Sequence, residues 1–447
     1  MRPNLSPQRI LIVDDDAGVR ETVGAVLGDE GFCAVFAADG PEAIAAARAQ
    51  APDLVLLDVW LPGMDGIQVL ERLRAEHPAL PVVVISGHGN IDTAVRATKL
   101  GAVDFIEKPF TIDGLLAAIG RVFRGARSDA AVDEGETAEA AEAAAGEAGD
   151  TASAHRPRRG GPRVRERTVA RSVVGAGLGL HSGLRTGIIL HPLPAASGIR
   201  FGSVSGGGEV EADVANVDST GYATTLFKRG LAVRTVEHLM ATLHAYGITN
   251  LLVKVEGEVP ILDGSALDLC DLVEQAGVED QRSSIAAICV REELRIDPGP
   301  DQFISIKPYD GLRITYELSY PAPVGDQTYV FEMRGAQDFK REIAPARTFG
   351  FVEEIRALES AGLGQGGQLG NFILIGEQGL VNTELRYPEE LARHKILDIL
   401  GDFYLLGAPI RGEIHARKTG HAHNVALVRK IREHLQSAQK TARNSAA

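Results

Sequence analysis

The chain has 447 residues, 45% hydrophobic and 24% charged, an ordinary globular composition that excludes a disordered or fibrous protein as the whole answer. At roughly 150 residues per domain it allows about three folding units. The net charge of −14 argues against a nucleic-acid binder held by phosphate contacts, and the three scattered cysteines exclude a disulfide framework. No apolar run reaches the length of about 18 residues needed to span a bilayer. Met1–Ser6 lacks the apolar core of a signal peptide, so a cytoplasmic location is expected.

In chain order, the first 125 residues alternate apolar runs with helix-period segments. Strands are expected at Ile10–Val13, Ala34–Ala37, Leu54–Leu57, Val82–Ile85 and Asp104–Ile106, with helices such as Pro41–Ala49 and Ile67–Glu76 between them. That alternation predicts an α/β fold, a doubly wound five-stranded parallel sheet. Asp129–Ala154 is then almost entirely Ala, Glu, Asp and Gly, and a basic, Gly/Pro-containing stretch follows. Residues 126–166 read as a flexible linker, too poor in apolar surface to offset the entropy of ordering. About 40 such residues reach roughly 35 Å and transmit no torsion, so control across them requires a face that docks. The rest reads as α+β, with strands at Asn250–Val255 and Ile304–Ile306 and helices at Val236–Tyr246 and Pro388–Leu406. Its length allows two subdomains, 167–282 and 283–447.

Two constellations carry chemistry. In an open α/β sheet, ligand groups gather at the carboxyl ends of the strands. There the first strand delivers Asp14-Asp15-Asp16, the third Asp58 and the fourth Ser86, while Lys108 follows the fifth. Converging carboxylates repel one another unless neutralised, and a hard cation such as Mg²⁺ suits them. Lys108 and Ser86 can then hold the oxygens of a phosphoryl group on Asp58. In the second constellation, Glu237-His238 lies on one expected helix, and His394 and Asp398 stand at i and i+4 on another. Two histidines and a carboxylate with an open fourth position describe a catalytic zinc site, although spacing alone does not bring Glu237 and Asp398 together. His421 follows in a loop of small residues, while His181, His191, His244 and His415 read as packing or surface residues.

The segments Leu56–Gly66, Ser86–Gly89 and Phe105–Phe110 resemble the receiver domain of two-component response regulators, closest to the nitrogen-response type. The resemblance implies that Asp58 accepts a phosphoryl group from a sensor histidine kinase. Asp14, Asp15 and the backbone carbonyl of Trp60 would hold magnesium, and Phe105 would be the switch aromatic that responds to Ser86. A receiver-mediated homodimer is a further implication. No GxxxxGK[ST] motif and no basic C-terminal helical pair follow, so no DNA-binding output is expected.

The segments Gly177–Gly183, Thr235–His238, Leu262–Ala266, Ala346–Phe351, Arg393–Asp402 and Gly420–Ala422 are spread from about Arg167 to Arg432. Over that span the chain resembles UDP-3-O-acyl-N-acetylglucosamine deacetylase, the zinc amidase of lipid A biosynthesis. The resemblance implies two similar α+β halves with the active site between them. His238, His394 and Asp398 would be zinc ligands and Glu237 the general base. Protonated His421, its ring held by Asp402, would stabilise the oxyanion or deliver a proton to the leaving amine. Thr348 would donate to the oxyanion, Lys395 would contact substrate near the metal, and Phe349 and Phe351 would line the nucleotide and sugar region. Ser319–Pro323 and Gly364–Gly370 depart from the family pattern, which bears on substrate details such as acyl length. A competing reading is a signalling protein whose deacetylase-like half only binds a UDP-sugar.

Overall fold

The computed structural model describes residues 7–86, 96–108, 110–128, 161–204, 206–360, 362–368 and 370–446. Gly87–Gly89 of the Ser86 segment, and most of the expected linker, lie outside the described residues.

The N-terminal domain is a five-stranded sheet of β1 (Arg9–Val13), β2 (Cys33–Ala37), β3 (Leu54–Asp58), β4 (Val82–Ser86) and β5 (Asp104–Glu107). The strands run parallel, as expected, and lie in the order β2-β1-β3-β4-β5. Helices α1 (Ala17–Asp29), α2 (Gly40–Gln50), α3 (Gly66–Glu76) and α4 (Ile112–Ser128) cover it. Every residue of β3 and β4 is buried, the pattern of strands sandwiched on both faces. Asp16, Asp39 and Asp65 cap α1, α2 and α3 through their side-chain oxygens.

Order extends into both ends of the expected linker. The α4 helix runs to Ser128, anchored by buried Leu115 and Ile119. At the other end, β7 (Arg163–Val169) pairs antiparallel with strand Val278–Ala286. That pairing also straddles the expected 282/283 boundary, because the backbone hydrogen bonds of Val278–Ala286 continue through it.

Two large sheets dominate the described residues of the C-terminal domain, beside three smaller ones of two or three strands. The first joins Glu209–Glu211, Ile199–Gly202, Leu251–Val255, β9 (Arg185–Pro192) and β8 (Val173–Leu178), with α5 (Glu237–Tyr246) and α6 (Leu267–Ala276). The second contains Leu294–Gly299, Gln302–Lys307, Ile410–Arg417, Leu312–Ser319 and Asp326–Glu332. Its helices are the short α7 (Ala336–Glu342) and α8 (Val352–Ser360), then α9 (Glu390–Tyr404) and α10 (His421–Ala446). Helices α5 and α9 pack against each other, and one buried apolar cluster runs through both halves.

The two domains are also docked, beyond the tether that the sequence led us to expect. The short strand β6 (Phe110–Thr111) extends the first C-terminal sheet by pairing antiparallel with β8, Phe110 against Val174 and Thr111 against Val173. Val174 and Ile189 of β8 and β9 share a buried cluster with Ile10, Val19, Val23 and Ile119. Helix α1 lies directly on β9: a Cβ added to Gly18 would stand 2.7 Å from the backbone of Thr186 and Gly187.

Candidate active site and phosphoacceptor pocket

Helices α5 and α9 bring one cluster together. On α9, His394, Asp398 and Asp402 follow at intervals of four and form a stripe facing α5. Gly401 permits the approach, since a Cβ there would lie 2.0 Å from the Glu237 carbonyl oxygen. His238 Nε2 and His394 Nε2 sit 4.0 and 3.5 Å from the same Asp398 Oδ1, and all three side chains are buried. Their ligating atoms lie within 4.8 Å of one another, near enough for a single ion. His394 Nδ1 donates to the Ala346 carbonyl at 3.0 Å, leaving the Nε2 lone pair for a metal.

Beside this group stands an acid–base pair. His421 opens α10, where a cationic ring opposes the helix dipole, so carboxylates must supply the compensation. Its Nδ1 is 2.9 Å from Asp402 Oδ2, and its Nε2 lies 3.8 Å from Glu237 Oε1 and 3.9 Å from Asp398 Oδ2. Burial pulls the imidazole pKa down, but Asp402, Asp398 and Glu237 together push it up to about 10. Burial raises the Glu237 carboxyl to about 7, against the opposing pull of His421. Burial likewise opposes charge on Asp398, but Lys395 and the histidines hold its carboxyl below the usual range. Lys395 Nζ is 3.0 Å from Asp398 Oδ2 and 5.1 Å from the Phe349 ring centre.

Thr348 is positioned from two sides. Its own N–H donates to Gly264 O, and neighbouring Arg347 forms a buried ion pair with Glu390 of α9 at 2.8 Å. The cleft, about 300 Å³, is lined by Glu237, His238, Thr348, Phe349, Phe351, His394, Lys395, Asp398 and His421. Asp402 is fully buried behind His421, holding it rather than facing the cleft.

Sequence reasoning missed several neighbours. Thr224 donates its N–H to Glu237 Oε2 and its hydroxyl to Asp402 Oδ1, joining base and acid, yet it belongs to none of the quoted motifs. Asn424 also donates to Asp402, at 2.9 Å. Tyr320, noted only as a departure from the family pattern, packs its ring 4.9 Å from Phe351 in the cleft. Of the remaining histidines, His181 and His244 are buried, while His191 bonds Ser172 and His415 meets Glu317 nearer the surface.

At the other constellation, Lys108 Nζ bridges Asp14 Oδ2 and Asp58 Oδ2 at 2.6 Å each. Burial and Asp58 raise the Asp14 carboxyl to about 6, although Lys108 works against them. Asp14, Asp15 and Asp58 offer oxygens within 4.8 Å of one another, a donor set suited to a hard divalent cation. Trp60 N–H donates to Asp58 Oδ1 at 3.2 Å while its ring is exposed. Ser86 is buried at the end of β4, and Phe105 packs partly buried against the domain core. The pocket opens into a cavity of about 510 Å³ whose opposite wall comes from the C-terminal domain, including Arg185, Leu262 and Asp268.

Comparison with known proteins agrees with both readings. The family model for UDP-3-O-acyl N-acetylglycosamine deacetylase matches residues 166–433, more than half of the chain. The chain belongs to this deacetylase family. A deacetylase of that name from a Nitratiruptor species is 40% identical over 273 residues, covering 60% of this chain and 91% of its own length. The deacetylase of Neisseria gonorrhoeae is 39% identical over 276 residues, covering 60% of this chain and 89% of its own. Residues 10–120 match the response regulator receiver domain model. The solved receiver domain of NtrX from Brucella abortus is 49% identical, covers 26% of this chain and 98% of its own, and has a TM-score of 0.25. The protein is thus an amide hydrolase of the deacetylase family fused to a receiver domain.

Proposed function

We propose that the chain hydrolyses the N-acetyl group of UDP-3-O-acyl-N-acetylglucosamine in a zinc-dependent reaction, and that its receiver adjusts this activity. The observation carrying the proposal is the convergence of His238, His394 and Asp398 beside the Glu237–His421 pair in one buried cluster. Two imidazoles and one carboxylate fit catalytic zinc, and the His394 Nδ1–Ala346 bond fixes the tautomer that ligation needs. When bound, zinc supplies Lewis acidity toward a water and the amide carbonyl. Glu237, with its pKa raised to about 7, takes the water proton and is ionised over a useful pH range. His421, kept protonated by Asp402, gives its Nε2 proton to the leaving amine, and Thr348 donates to the oxyanion. Lys395 orients substrate beside Asp398, and Phe349 and Phe351 pack on the sugar and nucleotide.

At the receiver, Asp58 takes a phosphoryl group from a sensor histidine kinase, and Asp14, Asp15 and the Trp60 carbonyl would hold the magnesium that neutralises it. Ser86 and Lys108 receive the phosphoryl oxygens, and Phe105 follows Ser86.

The test has two arms. His394→Ala should remove most of the bound zinc and activity while leaving the fold intact. Glu237→Ala should keep the metal and lose about 10²-fold or more in kcat, the range of general-base catalysis. Zinc loss in Glu237→Ala with retention in His238→Ala would overturn the division of roles. Asp58→Asn should abolish labelling by a small phosphodonor with Mg²⁺, and stable labelling of another aspartate in that variant would refute the pocket.

A further inference from the structure

The cavity between the domains brings a basic residue of the deacetylase to the acidic loop of the receiver. Arg185, the first residue of β9, places its guanidinium 3.4 Å from Asp15 Oδ2 and 3.7 Å from Asp16 Oδ2. Asp15 is one of the three carboxylates whose oxygens cluster in the phosphoacceptor pocket. Lys108 already neutralises the other two, Asp14 and Asp58. Asp15 therefore has two competing uses, as an acceptor for Arg185 or as a donor to a cation in the pocket.

We propose that the deacetylase senses the receiver through Arg185: docking of β9 and filling of the receiver pocket by a divalent cation and phosphoryl group compete for Asp15. This inference rests on the phosphoacceptor reading above and adds its readout. A carboxylate drawn inward to a cation gives up Arg185, and the cation's own charge then repels the guanidinium.

Two features carry the change onward. Asp16 caps α1, so the acidic loop and the start of α1 move together, and Gly18 in the first turn of α1 is packed against Thr186 and Gly187 without space for a Cβ. On the other side, β8 and β9 are joined by the turn 179–184. His181 N–H and Ser182 N–H donate to the buried Glu258 carboxylate at 2.9 Å each, and Leu180 lines the candidate active-site cleft. Arg185 thus stands one turn away from a wall of the cleft, and loosening β9 frees that wall while leaving the His238–His394–Asp398 cluster in place.

The pair is half exposed, so the coupling should be about two- to fivefold, the range of surface ion pairs, and no larger. The full-length chain supplies its own probe, because Trp60 is its single tryptophan and stands two residues from Asp58. Trp60 fluorescence, titrated with Mg²⁺ alone and with Mg²⁺ plus beryllofluoride as phosphoryl mimic, reads occupancy of the pocket. Hydrogen exchange of residues 173–192 reads docking.

In wild type, saturation should speed exchange in β9. Arg185→Ala should tighten Mg²⁺ binding two- to fivefold, and Arg185→Lys should fall between. Gly187→Val, whose side chain meets Thr22 of α1, should tighten it without touching a charge. Opening should raise KM for the nucleotide-sugar substrate with kcat nearly unchanged. A normal Trp60 titration with unaltered β9 exchange, and with Mg²⁺ affinity equal in wild type and Arg185→Ala, would overturn the latch alone. Absence of any Trp60 response to Mg²⁺ and beryllofluoride would refute the phosphoacceptor reading and the latch with it.

Discussion

His244 shows how one side chain ties stability to pH without touching the chemistry. It is buried on α5, stacks on Tyr404 with ring centres 4.4 Å apart, and donates from Nδ1 to Leu400 O. Burial lowers its pKa from 6.5 to about 4, and the bond to Leu400 recovers only part of that. Between those values the unfolded chain binds a proton that the native state does not, so stability falls as pH drops from 6.5 and levels off below about 4. The full loss is about 3 kcal/mol, from about 1.4 kcal/mol per pKa unit. Denaturant unfolding at pH 7 and pH 4.5 should show most of this loss, and His244→Phe should flatten it. An unchanged pH slope in that variant would assign the acid sensitivity to other groups.

The crossing of α5 and α9 is the element on which the candidate active site depends. Gly401 faces the Glu237 carbonyl with no room for a methyl group, and its neighbour Asp402 holds His421. Gly401→Ala must push the helices apart, costing about 1–3 kcal/mol as overpacking and separating His238 from His394 and Asp398. Metal content and kcat should both fall, while the Trp60 response of the receiver stays intact; full metal content in Gly401→Ala would show that the site tolerates helix displacement. Much of this was legible in the sequence. The i, i+4 pair of His394 and Asp398 follows from helical spacing, Asp402 follows from the family resemblance, and the five receiver strands follow from apolar runs alternating with helix-period segments. Thr224 was not legible, because a threonine that bonds two carboxylates through its N–H and hydroxyl has the same spacing as one in an ordinary loop. Nor was Tyr320: only the fold brings the turn after Leu312–Ser319 against Phe351.

At the scale of the whole molecule, the docking of the two domains was hidden for a related reason. Val174, Ala176 and Ile189 lie in strands β8 and β9 of the first deacetylase sheet, and nothing in the sequence pattern says that receiver residues such as Val23 and Ile119 complete their cluster. The receiver supplies a strand as well as apolar cover. Strand β8 has β9 on one side, while on the other Phe110–Thr111 pairs with Val173–Val174 and Ile261 N–H donates to Leu178 O.

Open sheet edges are templates for pairing with another chain. Phosphorylation that loosened the receiver would therefore uncover an adhesive margin as well as alter the cleft, and the protein would trade an internal neighbour for an external one. Ile112 N–H donates to Ser172 O at the end of this pairing, and Ile112 is also the first residue of α4, a position where proline is tolerated. In the full-length chain, Ile112→Pro should keep α4 while weakening the cap. Light scattering should then show concentration-dependent association absent from wild type, and a monodisperse variant at the same concentration would show that β8 is shielded without its borrowed strand.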